Sequence, residues 1–164
     1  MKFLAGSCLL LLCMIKGSNL FAQKEDNEFK KSDFYKAIAG KNEDAINKQL
    51  DLLKTSFIKE KNAYEGALLM KKAGIAGGPK KKLNLFKEGH KKLEGDLKKD
   101  SSNVEFRFLR LMIQEHAPGI LGYKGELEKD KLYIKNNFKK LPPVAQQAVI
   151  NYSKESKILK PSDL

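Results

Sequence analysis

The strongest constraint on the fold is the near absence of a strand pattern beyond residue 22. Valine occurs only at positions 104, 144 and 149, and no run alternates β-branched and polar residues as a half-buried strand does. Lysine, glutamate, leucine and alanine dominate instead, and all are good helix formers. The sequence therefore predicts an all-α fold.

Helical periodicity and punctuation divide this part of the chain into seven predicted helices. The Gly77-Gly78-Pro79 break is the clearest boundary, and Pro79 suits the first turn of a helix, as does the Pro142-Pro143 pair. Short loops favour antiparallel neighbours. In the third predicted helix, Ser56 is the expected cap, and the small residues Ala63, Gly66 and Ala67 permit close packing. The predicted ranges are 28–39, a helix beginning near 42, 59–73, 79–99, 104–116, 126–138 and 142–156.

The stretch from Gly40 to Ile46 resembles the turn and second-helix start of a tetratricopeptide repeat, with a glycine at the turn and Ala45 five residues later. Phe29 lies eleven residues before that turn, where this family usually carries an aromatic residue. A second partial match consists of Gly89, Leu93, Leu97, Asp100 and Asn103. The two matches are not one repeat length apart, so the resemblance implies an irregular TPR-like stack of antiparallel hairpins.

The N-terminus is predicted to be a secretory signal peptide over residues 1–22. Lys2 precedes the uncharged run Phe3–Ile15, which is too short to span a bilayer and suits the apolar core of a signal. Cleavage after Ala22 would remove Cys8 and Cys13, the only cysteines. An uncleaved anchor is the alternative. The predicted organisation is a signal peptide at 1–22, a single helical domain at 23–156 and a C-terminal tail at 157–164.

The chain as a whole also resembles small exported proteins of Bacteroidetes-type bacteria. That resemblance implies a periplasmic or extracellular location and no particular activity.

The chain is strongly basic, with 32 Lys and Arg against 20 Asp and Glu and a formal net charge of +12. We interpret most of this charge as a solvated coat, supported by the i,i+4 pairs Glu88–Lys92 and Glu94–Lys98. Nucleic acid is disfavoured as a partner, since its binding typically uses more arginine and exposed aromatic residues. Weak association with an anionic membrane or polysaccharide surface is compatible with the charge.

The search for catalytic chemistry finds little. The only side chains that titrate near neutral pH are His90 and His116. His90 falls on an apolar helix stripe, which favours a packed histidine, and His116 ends the fifth predicted helix, where the dipole favours a cation. Neither has a partner at metal-ligand spacing. We therefore expect a protein that is not an enzyme and uses no metal or cofactor.

The fifth predicted helix departs from the common pattern. Apolar residues cover most of its circumference, and Arg107, Arg110 and Gln114 share one narrow stripe that we expect to reach water or a groove. The two arginines are the only ones in the chain, and a guanidinium matches carboxylates or phosphates. These three residues are the predicted binding residues for an anionic group such as a peptide carboxylate. The alternative is internal ion pairs with glutamates such as Glu65, Glu105 or Glu115.

These features together favour an exported, non-enzymatic helical protein that binds a peptide or protein partner in the cell envelope through a concave face. The alternative is a basic module that adheres to anionic envelope polymers or lipid surfaces. Salt dependence separates the two, because charge-driven adhesion weakens faster with added salt than binding in a groove.

Overall fold

The computed structural model describes residues 28–164, and within that range it contains seven α-helices and no strand. The all-α prediction is confirmed. The predicted signal peptide, with its cleavage after Ala22, lies outside the described residues. The helices are α1 (Lys31–Ala39), α2 (Glu43–Thr55), α3 (Lys61–Ile75), α4 (Pro79–Lys99), α5 (Val104–His116), α6 (Leu127–Asn137) and α7 (Pro143–Ser153), with 3-10 turns at Gly119–Leu121, Phe138–Lys140 and Pro161–Asp163.

Local sequence explains where most of the helices begin. The side-chain oxygen of Asn42 accepts hydrogen bonds from two backbone N–H groups in the first turn of α2, at 2.9 and 3.2 Å. Asn103 caps α5 in the same way. Pro79 and Pro143 are the first residues of α4 and α7. Gly78, before α4, has a φ of 76°, a left-handed conformation that favours glycine.

The predicted cap of α3 is wrong. Ser56 ends α2, and its hydroxyl oxygen accepts a bond from the N–H of Ile58 at 3.4 Å, while α3 begins only at Lys61. A carboxylate from another helix bonds the first turn of α3 instead: Asp96 of α4 accepts a hydrogen bond from the backbone N–H of Ala63 at 3.1 Å. The group that caps α3 therefore comes from another helix, and no pattern in the sequence near α3 predicts it.

The hairpin of α3 and α4 is the most extensive helix–helix contact in the described chain. The two helices approach closely at Gly66 and Gly89, where a Cβ on Gly66 would lie 2.6 Å from the Gly89 carbonyl oxygen. Ala63 and Ala67, on the same part of α3, are fully buried. Small residues thus permit the close packing that the sequence predicts for this helix.

The core centres on α3 and α5, and ten of the thirteen residues of α5 are buried. α6 packs on α5, and α1 contacts α7, so the first and last described helices touch. The segment after α7 is also packed, because Leu159 is fully buried in the core. Within residues 28–164, none of the helices combines the length and apolar character needed to cross a bilayer.

Candidate binding groove

An apolar groove with a volume of about 1050 Å³ opens between α1, α3, α4, α5 and α7. Its floor consists of buried apolar side chains that belong to the core, namely Ile38, Met70, Ala73, Met112 and Ile113. Because each of these side chains is fixed by its own helix, the groove is part of the folded structure.

The rim of the groove is also apolar, and it is exposed. Leu83 on α4 and Val144 on α7 are each 42% exposed, and Ile120 in the 3-10 turn after α5 is 95% exposed. None of residues 79–88 is buried, and Pro79, Lys82, Leu83 and Phe86 of this half of α4 form one wall of the groove. Because large exposed apolar patches are uncommon on monomeric proteins, this rim makes the groove a candidate interaction site.

The charged residues of the groove are mostly cationic. Lys36, Lys41, Lys71 and Lys82 line it, against the single acid Glu155. Lys71, on α3, is half-buried, and no carboxylate of the described chain lies within ion-pair distance of it. Burial lowers the pKa of the Lys71 ammonium, and the neighbouring charge of Lys41 lowers it further. The groove therefore holds positive charge that the fold itself does not neutralise.

Glu115 braces the wall of the groove that α7 supplies. Its carboxylate accepts hydrogen bonds from the Tyr152 hydroxyl, from the Ser156 hydroxyl at 2.6 Å and from the Lys157 backbone N–H at 2.6 Å. Burial alone would raise the pKa of Glu115, but these hydrogen bonds outweigh it and hold the pKa below its ordinary value. Tyr152 and Ser156 themselves line the groove, so this cluster holds the wall in place.

Glu105 braces the side of the groove formed by α1. Its carboxylate accepts hydrogen bonds from the hydroxyls of Tyr35 at 2.8 Å and Tyr64 at 2.7 Å, and from the Lys31 ammonium at 3.0 Å. Burial raises the pKa of both phenols, and Glu105 raises it further, so both tyrosines remain hydrogen-bond donors. Tyr35 lines the groove, and the bond to Glu105 keeps its ring in place.

The structure brings the two predicted arginines together on Asp130 of α6. Arg110 binds both carboxylate oxygens of Asp130, at 2.6 and 2.7 Å, and also Glu94 at 3.1 Å. Arg107 binds Asp130 at 2.8 Å and lies 4.2 Å from the centre of the Tyr133 ring. Asp130 is fully buried. The cluster therefore ties α5 to α6 and, through Glu94, to α4.

The charges of this cluster are balanced within the protein. Burial alone would lower the pKa of the Arg110 guanidinium, but Asp130 and Glu94 raise it above its ordinary value. The side chains of Arg107 and Arg110 are only 11% and 10% exposed. The prediction that their stripe reaches water or a groove is wrong, because α6 covers it.

Gln114, the third predicted binding residue, is 2% exposed, and its amide oxygen has no hydrogen-bond partner in the described chain. Neither arginine is bonded to it. None of Arg107, Arg110 and Gln114 lines the groove. A binding role for these three residues stays a prediction.

The alternative of internal ion pairs is confirmed for both arginines, but the partners are Asp130 and Glu94 and not the glutamates named from the sequence. Glu65 pairs with Lys92 at 2.8 Å, and Glu105 and Glu115 are engaged in the two clusters described above. Neither i,i+4 pair forms, because Lys92 reaches Glu65 and Glu94 reaches Arg110. In both cases a partner on another helix replaces the neighbour on the same helix.

The histidines hold the environments expected for them. His90 is half-buried, with its ring centroid 6.1 Å from Phe86 and 4.8 Å from Tyr123. His116 ends α5 beside the groove, with Nδ1 3.1 Å from the Met112 carbonyl oxygen. Nowhere in residues 28–164 do three or more His, Cys, Asp or Glu side chains converge as a metal site requires.

The sequence led us to expect a concave face, but it did not identify the residues that line this groove. The one local signal was Ile120, a large apolar residue between Pro118 and Gly122 in a loop, where polar residues are usual. Comparison with known proteins found no family model, no curated protein and no solved structure that matches this chain.

Proposed function

We propose that this chain is a non-enzymatic binding protein that takes an apolar segment of a peptide or protein partner into the groove. The observation that supports the proposal is the open apolar rim formed by Leu83, Ile120 and Val144. Full burial of one such side chain contributes roughly 1.5–3 kcal/mol. A partner that covers all three gains several kcal/mol toward the cost of association.

The proposal includes export to the cell envelope, which rests on the leader-like composition of residues 1–22. It also keeps the irregular TPR-like arrangement for the hairpins that precede α5. The contact between α1 and α7 departs from an open array, in which each repeat touches only its neighbours. In this proposal the groove takes the part of the concave binding face that the sequence leads us to expect.

Photocrosslinking from the rim tests the proposal. A photoreactive amino acid at Ile120 in the full chain, expressed in its own host, should crosslink to a protein or peptide. Leu83→Gln should reduce this product about threefold to tenfold, because covering the 42% of Leu83 that is exposed contributes about 0.6–1.3 kcal/mol. Mass spectrometry of the product identifies the partner.

The matched control is Leu132→Gln, since Leu132 on α6 is 58% exposed and lies outside the groove. We expect it to leave the crosslinked product unchanged, with both variants within about 0.5 kcal/mol of the parent in stability. Equal loss in the two variants would contradict binding in the groove. A product made of lipid or polysaccharide that disappears by about 0.15 M salt would show charge-driven adhesion instead.

A further inference from the structure

The positive charge of the groove indicates the chemistry of the segment that binds there. Resting on the proposed function, we infer that the partner segment is an acidic amphipathic helix whose carboxylate pairs with Lys71 on the groove wall.

Lys71 is the first argument for an acidic ligand. It is half-buried among the residues that line the groove, which include a second lysine, Lys41, and no carboxylate of the described chain pairs with it. A partly buried ammonium without a counter-ion loses hydration and regains nothing in return. A ligand carboxylate would supply the missing partner through a charge-assisted hydrogen bond.

The other charges of the groove favour the same sign of ligand. Lys41 and Lys82 also line it, and neither has an ion-pair partner in the described chain, whereas Lys36 is bound to Asp33 at 3.0 Å. Glu155 is the single acid among the lining residues. The field along the groove is therefore positive, which attracts an acidic segment and disfavours a basic one.

The exposed rim favours a helix over an acyl chain. An amphipathic helix places its apolar face in a groove and leaves its polar face in water, so the groove can stay open. An acyl chain has no polar face, and a rim that leaves Ile120 95% exposed would keep part of that chain in water. The volume of about 1050 Å³ is also slightly above the range of roughly 300–1,000 Å³ for small-molecule sites.

A panel of labelled amphipathic helical peptides of about 14 residues, or four turns, tests the inference. The peptides differ in their apolar anchors, and each is made with Glu, Gln or Lys at the edge of its apolar face. Fluorescence anisotropy measures Kd for the full chain, for Lys71→Met and for Lys91→Met. Lys91 is the matched control, because it is exposed on α4 outside the groove and its replacement removes the same charge.

We expect the peptides that bind to prefer Glu over Gln by about tenfold, as loss of one charge-assisted hydrogen bond predicts. Lys71→Met should abolish this preference, and Lys91→Met should retain it. Lys71→Met should also unfold at no lower urea concentration than the parent, because it removes a partly buried charge that has no counter-ion.

Several outcomes would overturn the inference. If Glu and Gln peptides bind equally, or if the two lysine variants behave alike, the acidic partner is wrong while the proposed function stands. If no peptide of any charge binds, the proposed function fails as well. Vesicles of phosphatidylglycerol that bind in a Lys71-dependent manner, without peptide binding, would show that the ligand is a lipid.

Discussion

Replacement of Gly89 by alanine tests how closely α3 and α4 pack. A Cβ at this position would lie 2.5 Å from the Gly66 carbonyl oxygen, 2.8 Å from Met70 Cγ and 2.9 Å from the Met70 backbone nitrogen. Two of these atoms belong to the backbone, so no change of rotamer relieves the contact. The helices must move apart along the most extensive contact in the described chain.

The magnitude follows from two opposing effects. Overpacking of a core costs about 1–3 kcal/mol, and backbone contacts place this case toward the upper end. Alanine recovers about 1 kcal/mol of helix propensity. We therefore expect Gly89→Ala to lower the free energy of unfolding by about 1–2 kcal/mol.

Gly95 provides the control within the same helix. A Cβ on Gly95 would meet nothing within 4 Å, so Gly95→Ala should raise the free energy of unfolding by about 0.5–1 kcal/mol. Urea unfolding followed by far-UV circular dichroism measures both variants, with midpoints that move in opposite directions at an unchanged slope. Midpoints that move in the same direction would refute the close approach of α3 and α4.

Three further predictions concern the core and its charged clusters. Arg110→Met leaves the buried carboxylate of Asp130 without its bidentate partner and should lower the free energy of unfolding by about 3–5 kcal/mol. Unchanged stability in urea would contradict this structural role and would favour a role of Arg110 in ligand binding. Phe34→Ala should lower the free energy of unfolding by about 3–5 kcal/mol in the same assay, because Phe34 is fully buried. Phe57→Ala should lower it by less than about 0.5 kcal/mol, because Phe57 is fully exposed, and similar losses in the two variants would contradict this packing. The pKa of Glu115 lies below its ordinary value of 4.5, so its hydrogen bonds stabilise the fold above that pH and are lost as the pH falls through the folded-state pKa. Urea unfolding from about pH 6 to pH 3 should therefore show a smaller decline for Glu115→Gln than for the parent, and equal declines would contradict the role of this carboxylate.

The features predicted well are those that depend on residues close together in the chain. The starts of α2 near residue 42 and of α5 at residue 104 were predicted, and there Asn42 and Asn103 bond residues two or three positions away; Pro79 and Pro143 likewise act on the turns in which they stand. The apolar circumference of α5 likewise indicated its central place. Each of these signals is complete within one or two helical turns.

The candidate site was predicted less well, because its residues come from distant parts of the chain. The groove combines α1, the exposed half of α4 and α7, and no spacing in the sequence relates them. Arg110 was singled out as a predicted binding residue, and its partner Asp130 is twenty residues away on α6. Lys71 was one of many lysines in the sequence and became distinctive only once its surroundings were known.

The kinds of element and the basic charge of this protein follow from composition and local pattern, because helical hydrogen bonds join residues four apart. The predicted signal peptide, which lies outside the described residues, also rests on local composition alone. Local pattern does not determine which helical faces pack against one another, because several packings of seven amphipathic helices would bury similar apolar area. Only the tertiary structure showed that α6 covers the arginines, and that Leu83, Ile120 and Val144 remain in water around an open, cationic groove.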